Sequence, residues 1–130
     1  MAITLTHQPT VAGSQVLAYG AARGDVSVPN DDLIGPIDSS DEWIRQRTGI
    51  ITRTRASQDV GVKDLSLTAA KEAIERSGID LEPLDAIIVS TISFPYPTPS
   101  LATLLAGELG RPDVIAYDIS AACAGFAYGI

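Results

Sequence analysis

The sequence predicts an α/β protein built on a mainly parallel sheet, and three observations carry that reading. Apolar, β-branched runs at 86–92 (AIIVSTI) and 114–120 (VIAYDIS) read as strands, the first as a strand covered on both faces. Segments of helical period precede and separate them, and a glycine, Gly78 or Gly110, closes each. From residue 14 onward strands and helices alternate, the order that gives parallel pairing through right-handed crossovers.

Residues 1–13 read as a loose polar tail, and 14–130 as one α/β unit. SQVLAYGAA, 14–22, reads as a short strand closing on Gly20 and a turn. PNDDLIGPI follows as a short helical turn that Asn30 can cap. In SSDEWIRQRTG the pair Ser39 and Glu42 has capping-box spacing, acidic residues fill the first turn and Gly49 ends the helix. IITRTRA reads as extended. In the helix 64–77, Ala69, Ala70, Ala73 and Ile74 make one apolar stripe opposite Lys71, Glu72, Glu75 and Arg76. FPYPTP forbids regular structure. Thr98 and Pro99 stand as N-cap and first residue of a second helix, which buries Leu101, Leu104 and Leu105. From about Cys123 the pattern turns helical again.

Composition narrows the function classes. A chain of 130 residues, 45% hydrophobic and 19% charged, is one domain's worth and buries a real core. No apolar run approaches a membrane span, and the first residues lack the pattern of a signal peptide, so a cytoplasmic address is expected. The single cysteine leaves no internal disulfide. A net charge of −7 argues against nucleic acid as a partner. Four of the nine basic residues, Arg45, Arg47, Arg53 and Arg55, nevertheless fall within eleven positions, a local excess suited to an anionic ligand. Arg53 and Arg55 alternate along an extended segment and are assigned to a solvated face.

Cys123 has two readings. A lone cysteine among alanines is more often an inert core residue than a nucleophile. Its place at a strand-to-helix junction, however, sets the sulfur near unpaired N–H groups at the positive helix end, a setting that favours thiolate. Ala121, Ala122, Ala124 and Gly125 leave room for a substrate, and the same amides can hold an oxyanion. Trp43, read from the residues alone, is a half-buried anchor for its helix. Arg47 reads either as a ligand contact or as a solvated partner of Asp41 or Glu42.

DISAACAGFAYGI, at 118–130, closely resembles the active-site segment of the β-ketoacyl-acyl carrier protein synthase III family, and SSDEWIRQRTGIITR resembles a second motif of that family at matching separation. The resemblance implies a thiolase-like fold of five alternating layers, of which residues 14–130 would supply most of the N-terminal half, and a homodimer. It implies Cys123 as the nucleophile, acylated by a short acyl-coenzyme A, with its own N–H as an oxyanion donor. Malonyl-acyl carrier protein then decarboxylates, and its carbanion attacks the acyl-enzyme. By the same resemblance Trp43 stacks on the adenine of coenzyme A, Arg47 flanks it, and Thr48 and Ser39 line that site. Thr98 stands where a residue of the partner subunit closes the acyl pocket. Coenzyme A enters as substrate; neither a metal nor a further cofactor is expected.

One departure matters. The family needs a histidine and an asparagine, both downstream of the cysteine, to stabilise the charge formed on decarboxylation. The chain's one histidine, His7, and one asparagine, Asn30, both lie upstream and match neither position. The sequence thus reads either as part of a longer catalytic protein or as a non-catalytic remnant that pairs through the dimer surface. A relative working in secondary metabolism is the further alternative. Coding sequence beyond Ile130 would separate these readings.

Overall fold

The computed structural model describes residues 13–35 and 37–130, so His7 and nearly all of the expected tail lie outside the described residues. Among the described residues, four short strands and four α-helices follow one another: β1 (Val26–Pro29), α1 (Asp41–Thr48), β2 (Thr52–Arg55), α2 (Val62–Ser77), β3 (Ala86–Ser90), α3 (Leu101–Glu108), β4 (Ile115–Ile119) and α4 (Gly125–Gly129). The strands form two pairs. β3 and β4 are parallel, with Ile88 opposite Tyr117, and α3 is the crossover between them. β1 and β2 are antiparallel, with Val28 opposite Arg53. The α/β class stands, but among the described residues only one of the two strand pairs is parallel.

The core sits under α3. Leu101, Ala102, Leu105 and Ala106 are almost wholly excluded from water, two residues per turn on one stripe. Leu104, expected in that stripe, is only partly covered; the alanines take its place because they let the helix approach the sheet closely. The start of α3 is fixed from β4: Asp118 accepts the N–H of Leu101 (Oδ2, 2.7 Å) and of Ala102 (Oδ1, 2.8 Å). The cap is Ser100, whose hydroxyl accepts the N–H of Thr103 at 3.1 Å, so the helix starts later than Thr98 and Pro99 suggested. A Lys63–Glu108 pair at 2.8 Å ties the first turn of α2 to the last of α3.

The opposite face of the β3–β4 pair is open. Ile115 and Tyr117 remain 63% and 45% exposed, so the expectation of a strand layer covered on both sides holds for one side only. The reason is local: α3 occupies one face, and the five residues of α4 are too few to cover the other.

Residues 14–22 form no strand, because among the described residues no neighbouring strand pairs with them. Side chains of α2 hold the segment instead. Glu72 accepts the N–H of Ala21 at 2.6 Å, and Arg76 donates to the carbonyl of Tyr19 at 3.2 Å while lying over its ring. Gly20 permits this approach, since a Cβ there would overlap the α2 backbone at Ala69 and Ala73.

Charge-assisted hydrogen bonds of the Asp118 kind contribute roughly 1.5–3 kcal/mol each. Asp118→Ala should therefore lower the unfolding free energy by about 2–3 kcal/mol in a denaturant titration, and Asp118→Asn by about half as much. A loss below about 0.5 kcal/mol for Asp118→Ala would show that the two amides find another acceptor.

Candidate functional site

The chain leaves β4 at Ile119 and makes a single 3-10 turn, Ala122–Ala124, before the five residues of α4. Cys123 is at the centre of that turn, a tighter start than the α-helix expected from this point. The turn closes through the N–H of Ala124 on the carbonyl of Ala121 at 3.0 Å and the N–H of Gly125 on that of Ala122. The Cys123 N–H has no backbone acceptor among the described residues, and its thiol is exposed. Ala122 is driven to φ +46°, a left-handed conformation costing an L-residue roughly 1–2 kcal/mol. Strain of this sort is held in place only when the surroundings over-determine it. Here the surroundings are Gly125 and Ser90: Gly125 is buried, and a Cβ on it would overlap Ser90 Oγ on β3.

The second cluster is on α1. Ser40, not Ser39, caps this helix, its hydroxyl accepting the Trp43 N–H at 3.1 Å; Gly49 closes it at φ +71° as expected. Trp43 is 53% exposed, and the guanidinium of Arg47 lies 5.2 Å from its ring centroid, a cation–π pair that presents both side chains together. Asp41 is paired with Arg45 rather than Arg47 (Nε to Oδ2, 2.7 Å). Its carboxyl is held below the usual aspartate range, first by a hydrogen bond from Asn30 and then by one from Arg45.

The other predicted contacts have local duties. The Thr48 hydroxyl donates to the carbonyl of Ile44 at 2.8 Å and accepts the N–H of Ile50 at 3.1 Å, closing the helix. Ser39 Oγ is buried, without a hydrogen-bond partner among the described residues. Thr98 is exposed in the loop before α3. Arg53 is not on a solvated face: it is partly buried and donates to Asn30 Oδ1 at 3.0 Å, while Arg55 is exposed as expected.

The structure thus brings Trp43 and Arg47 together and seats Cys123 in a separate turn. Two cavities, of about 530 and 310 Å³, flank the segment Val16–Ala18 and are lined by neither cluster. Sequence reasoning missed Asn30, Asp118 and Ser90 as supports. Asp118 and Ser90 lay inside strand-like runs, where one polar residue carries no signal of what it touches.

No family model matches the chain. It is 56% identical over 119 residues to the β-ketoacyl-[acyl-carrier-protein] synthase III of Kocuria rhizophila, covering 92% of this chain and 34% of that protein. To the enzyme of the same name from Tropheryma whipplei it is 49% identical over 117 residues, 90% of this chain and 36% of that one. The crystal structure of 3-oxoacyl-[acyl-carrier-protein] synthase III from Aquifex aeolicus superposes with a TM-score of 0.79 at 38% identity, over 89% of this chain and 37% of the other. The chain matches the N-terminal part of the β-ketoacyl-[acyl-carrier-protein] synthase III family. It spans about a third of the length of these curated relatives. The fold is accordingly the thiolase-like α/β fold of that family. The priming β-ketosynthase of the R1128 polyketide biosynthetic pathway is similar as well, with a TM-score of 0.82 at 36% identity, over 95% of this chain and 37% of that one.

The packing under the Cys123 turn gives a direct check. Gly125→Ala should destabilise the protein by about 1–3 kcal/mol, the usual cost of overpacking. Most of that loss should return in Gly125→Ala with Ser90→Ala, since the overlap is with the Ser90 hydroxyl. Additive losses in a denaturation double-mutant cycle would show that the two positions do not meet.

Proposed function

We propose that Cys123 is the nucleophile of a β-ketoacyl-acyl carrier protein synthase III whose N-terminal part is this chain. The observation that supports it best is the turn itself: an exposed thiol, an unbonded N–H on the same residue, and a strained Ala122 pinned beside it. The thiolate attacks the carbonyl carbon of an acyl-coenzyme A, and the carbon–sulfur bond to coenzyme A breaks, releasing coenzyme A thiolate, which takes a proton from water. The Cys123 N–H donates to the oxygen that carries negative charge between these two events. Malonyl-acyl carrier protein then loses carbon dioxide, and the resulting carbanion attacks the acyl-cysteine. The product is a 3-oxoacyl-acyl carrier protein, and Cys123 leaves as thiolate. The groups that stabilise charge during decarboxylation have no counterpart in this chain and belong to the remainder of such a protein.

Donor recognition is assigned to α1. The exposed Trp43 face stacks on adenine and the Arg47 guanidinium, already beside it, flanks the same base; Thr48 and Ser39 sit at the margins of that site. Thr98 closes the acyl pocket of the partner in a homodimer, and its small side chain leaves space for primers longer than acetyl. The protein works in the cytoplasm. Similarity to a polyketide priming synthase favours one second reading, the same chemistry in secondary metabolism.

Two experiments on the protein expressed from its complete coding sequence test this reading. After incubation with acetyl-coenzyme A, Cys123 should carry an added acetyl mass, and Cys123→Ser should abolish condensation, because a hydroxyl without an adjacent base is a poor nucleophile. A normal condensing rate in Cys123→Ser would overturn the assignment. Trp43→Ala should weaken acyl-coenzyme A binding by about 1–3 kcal/mol, the scale of base–aromatic stacking, and leave acylation by acetyl-pantetheine, which has no adenine, nearly unchanged. Equal losses with both donors would make Trp43 a structural anchor.

A further inference from the structure

α1 is too short and too polar to hold itself in place. Helices of fewer than about 12 residues are marginal alone, and of the eight in α1 only Ile44 is buried. Beyond its own caps, what ties the helix to the rest of the molecule is a single amide. Asn30 is completely buried in the turn after β1, and each of its side-chain atoms is used. Its Nδ2 donates to Asp41 Oδ1 at 2.7 Å and to the carbonyl of Ile50 at 2.8 Å, and its Oδ1 accepts from Arg53 at 3.0 Å. Asp41 is the first residue of α1, and Ile50 lies one residue beyond its closing Gly49. One side chain therefore clamps both ends of the helix and joins it to β2.

We propose that Asn30 is a positioning residue for coenzyme A recognition: by clamping Asp41 and Ile50 it sets where α1 presents Trp43 and Arg47. The proposal rests on the reading of α1 as the adenine site and adds the device that aims it. Asp cannot donate to Asp41 or Ile50, and Ala leaves the Ile50 carbonyl and the Arg53 guanidinium with a lost partner.

The test separates aiming from mere stability. In the protein expressed from its complete coding sequence, Asn30→Ala should raise KM for acetyl-coenzyme A about tenfold and change kcat and the acetyl-pantetheine reaction less than about twofold. If Asn30→Ala does not fold, Asp41→Ala cuts only the link at the helix start and should give the same split. Asp41→Asn, which keeps an acceptor for the Asn30 amide, should restore wild-type KM. Arg45→Ala, which removes the other partner of Asp41, should have no effect on it. A Trp43→Ala split between donors with no split in Asn30→Ala or Asp41→Ala would overturn the positioning role and leave the adenine site standing. Equal losses with both donors in the Asn30 and Asp41 variants would reduce Asn30 to a structural residue. No split in Trp43→Ala would remove the adenine site and the proposal with it.

Discussion

Asp118 reaches from β4 to the backbone of α3 and takes the N–H groups of Leu101 and Ala102, and much of the molecule leans on that tie. These are amides that a helix leaves unsatisfied at its start, and here they face the sheet in a partly buried site. The carboxylate therefore does two things: it removes a desolvation cost and it sets the height of α3 on the β3–β4 pair. Once that height is set, Leu101, Ala102, Leu105 and Ala106 close on the sheet, and α2 is held through Lys63 and Glu108. Asp118 also lies five residues before Cys123, on the strand that delivers it. The strand cannot shift along its axis without breaking the cap, so the position of the cysteine turn follows from the packing of a helix on the other face.

The α1 region obeys a different rule. Its one buried apolar side chain, Ile44, contributes roughly 1.5–3 kcal/mol at most, too little to orient an exposed helix. Polar bonds with fixed geometry take over: the Asn30 amide, the Ser40 cap and the Thr48 hydroxyl folded back on the last turn. Buried polar groups are expensive unless fully satisfied, which makes such an arrangement stringent. It suits a helix that has to keep Trp43 and Arg47 outside the core and still hold them still.

The elements legible in the sequence were those whose signal is local. Gly49 and Gly78 adopt left-handed φ values of +71° and +65° and end α1 and α2 where the pattern placed those ends. β3, α3 and β4 follow from apolar runs and leucine spacing, and Cys123 and Trp43 stood out by their motifs. The failures share a cause, since each depended on a partner distant in sequence. The segment 14–22 has strand-like residues but no strand beside it, whereas Val26–Pro29, too short to show a strand pattern, pairs because Thr52–Arg55 lies alongside. Ser39 and Ser40 are equal candidates for a cap until the helix axis is known. Arg53 alternates as a solvated residue would, yet it turns inward because a buried amide oxygen waits there. Asn30 was read as a cap and is instead the centre of a network, which no spacing rule reveals.

The two clusters are thus built by independent means. The Cys123 turn is held from beneath by Ser90 and Gly125 and from its strand by Asp118, all within residues 86–125. Trp43 and Arg47 are held by Asn30 and its bonds to Asp41, Ile50 and Arg53, all within residues 30–53. Neither support shares a hydrogen bond with the other, so perturbations of one should add to those of the other rather than amplify them. For an enzyme that forms an acyl-cysteine, this separation has a chemical use. Under the function proposed above, the Cys123 thiol and N–H need sub-ångström constancy whatever donor arrives, while the Trp43–Arg47 pair need only seize a distant handle. On that proposed reading, changes in the α1 network tune donor binding without disturbing acyl transfer at Cys123.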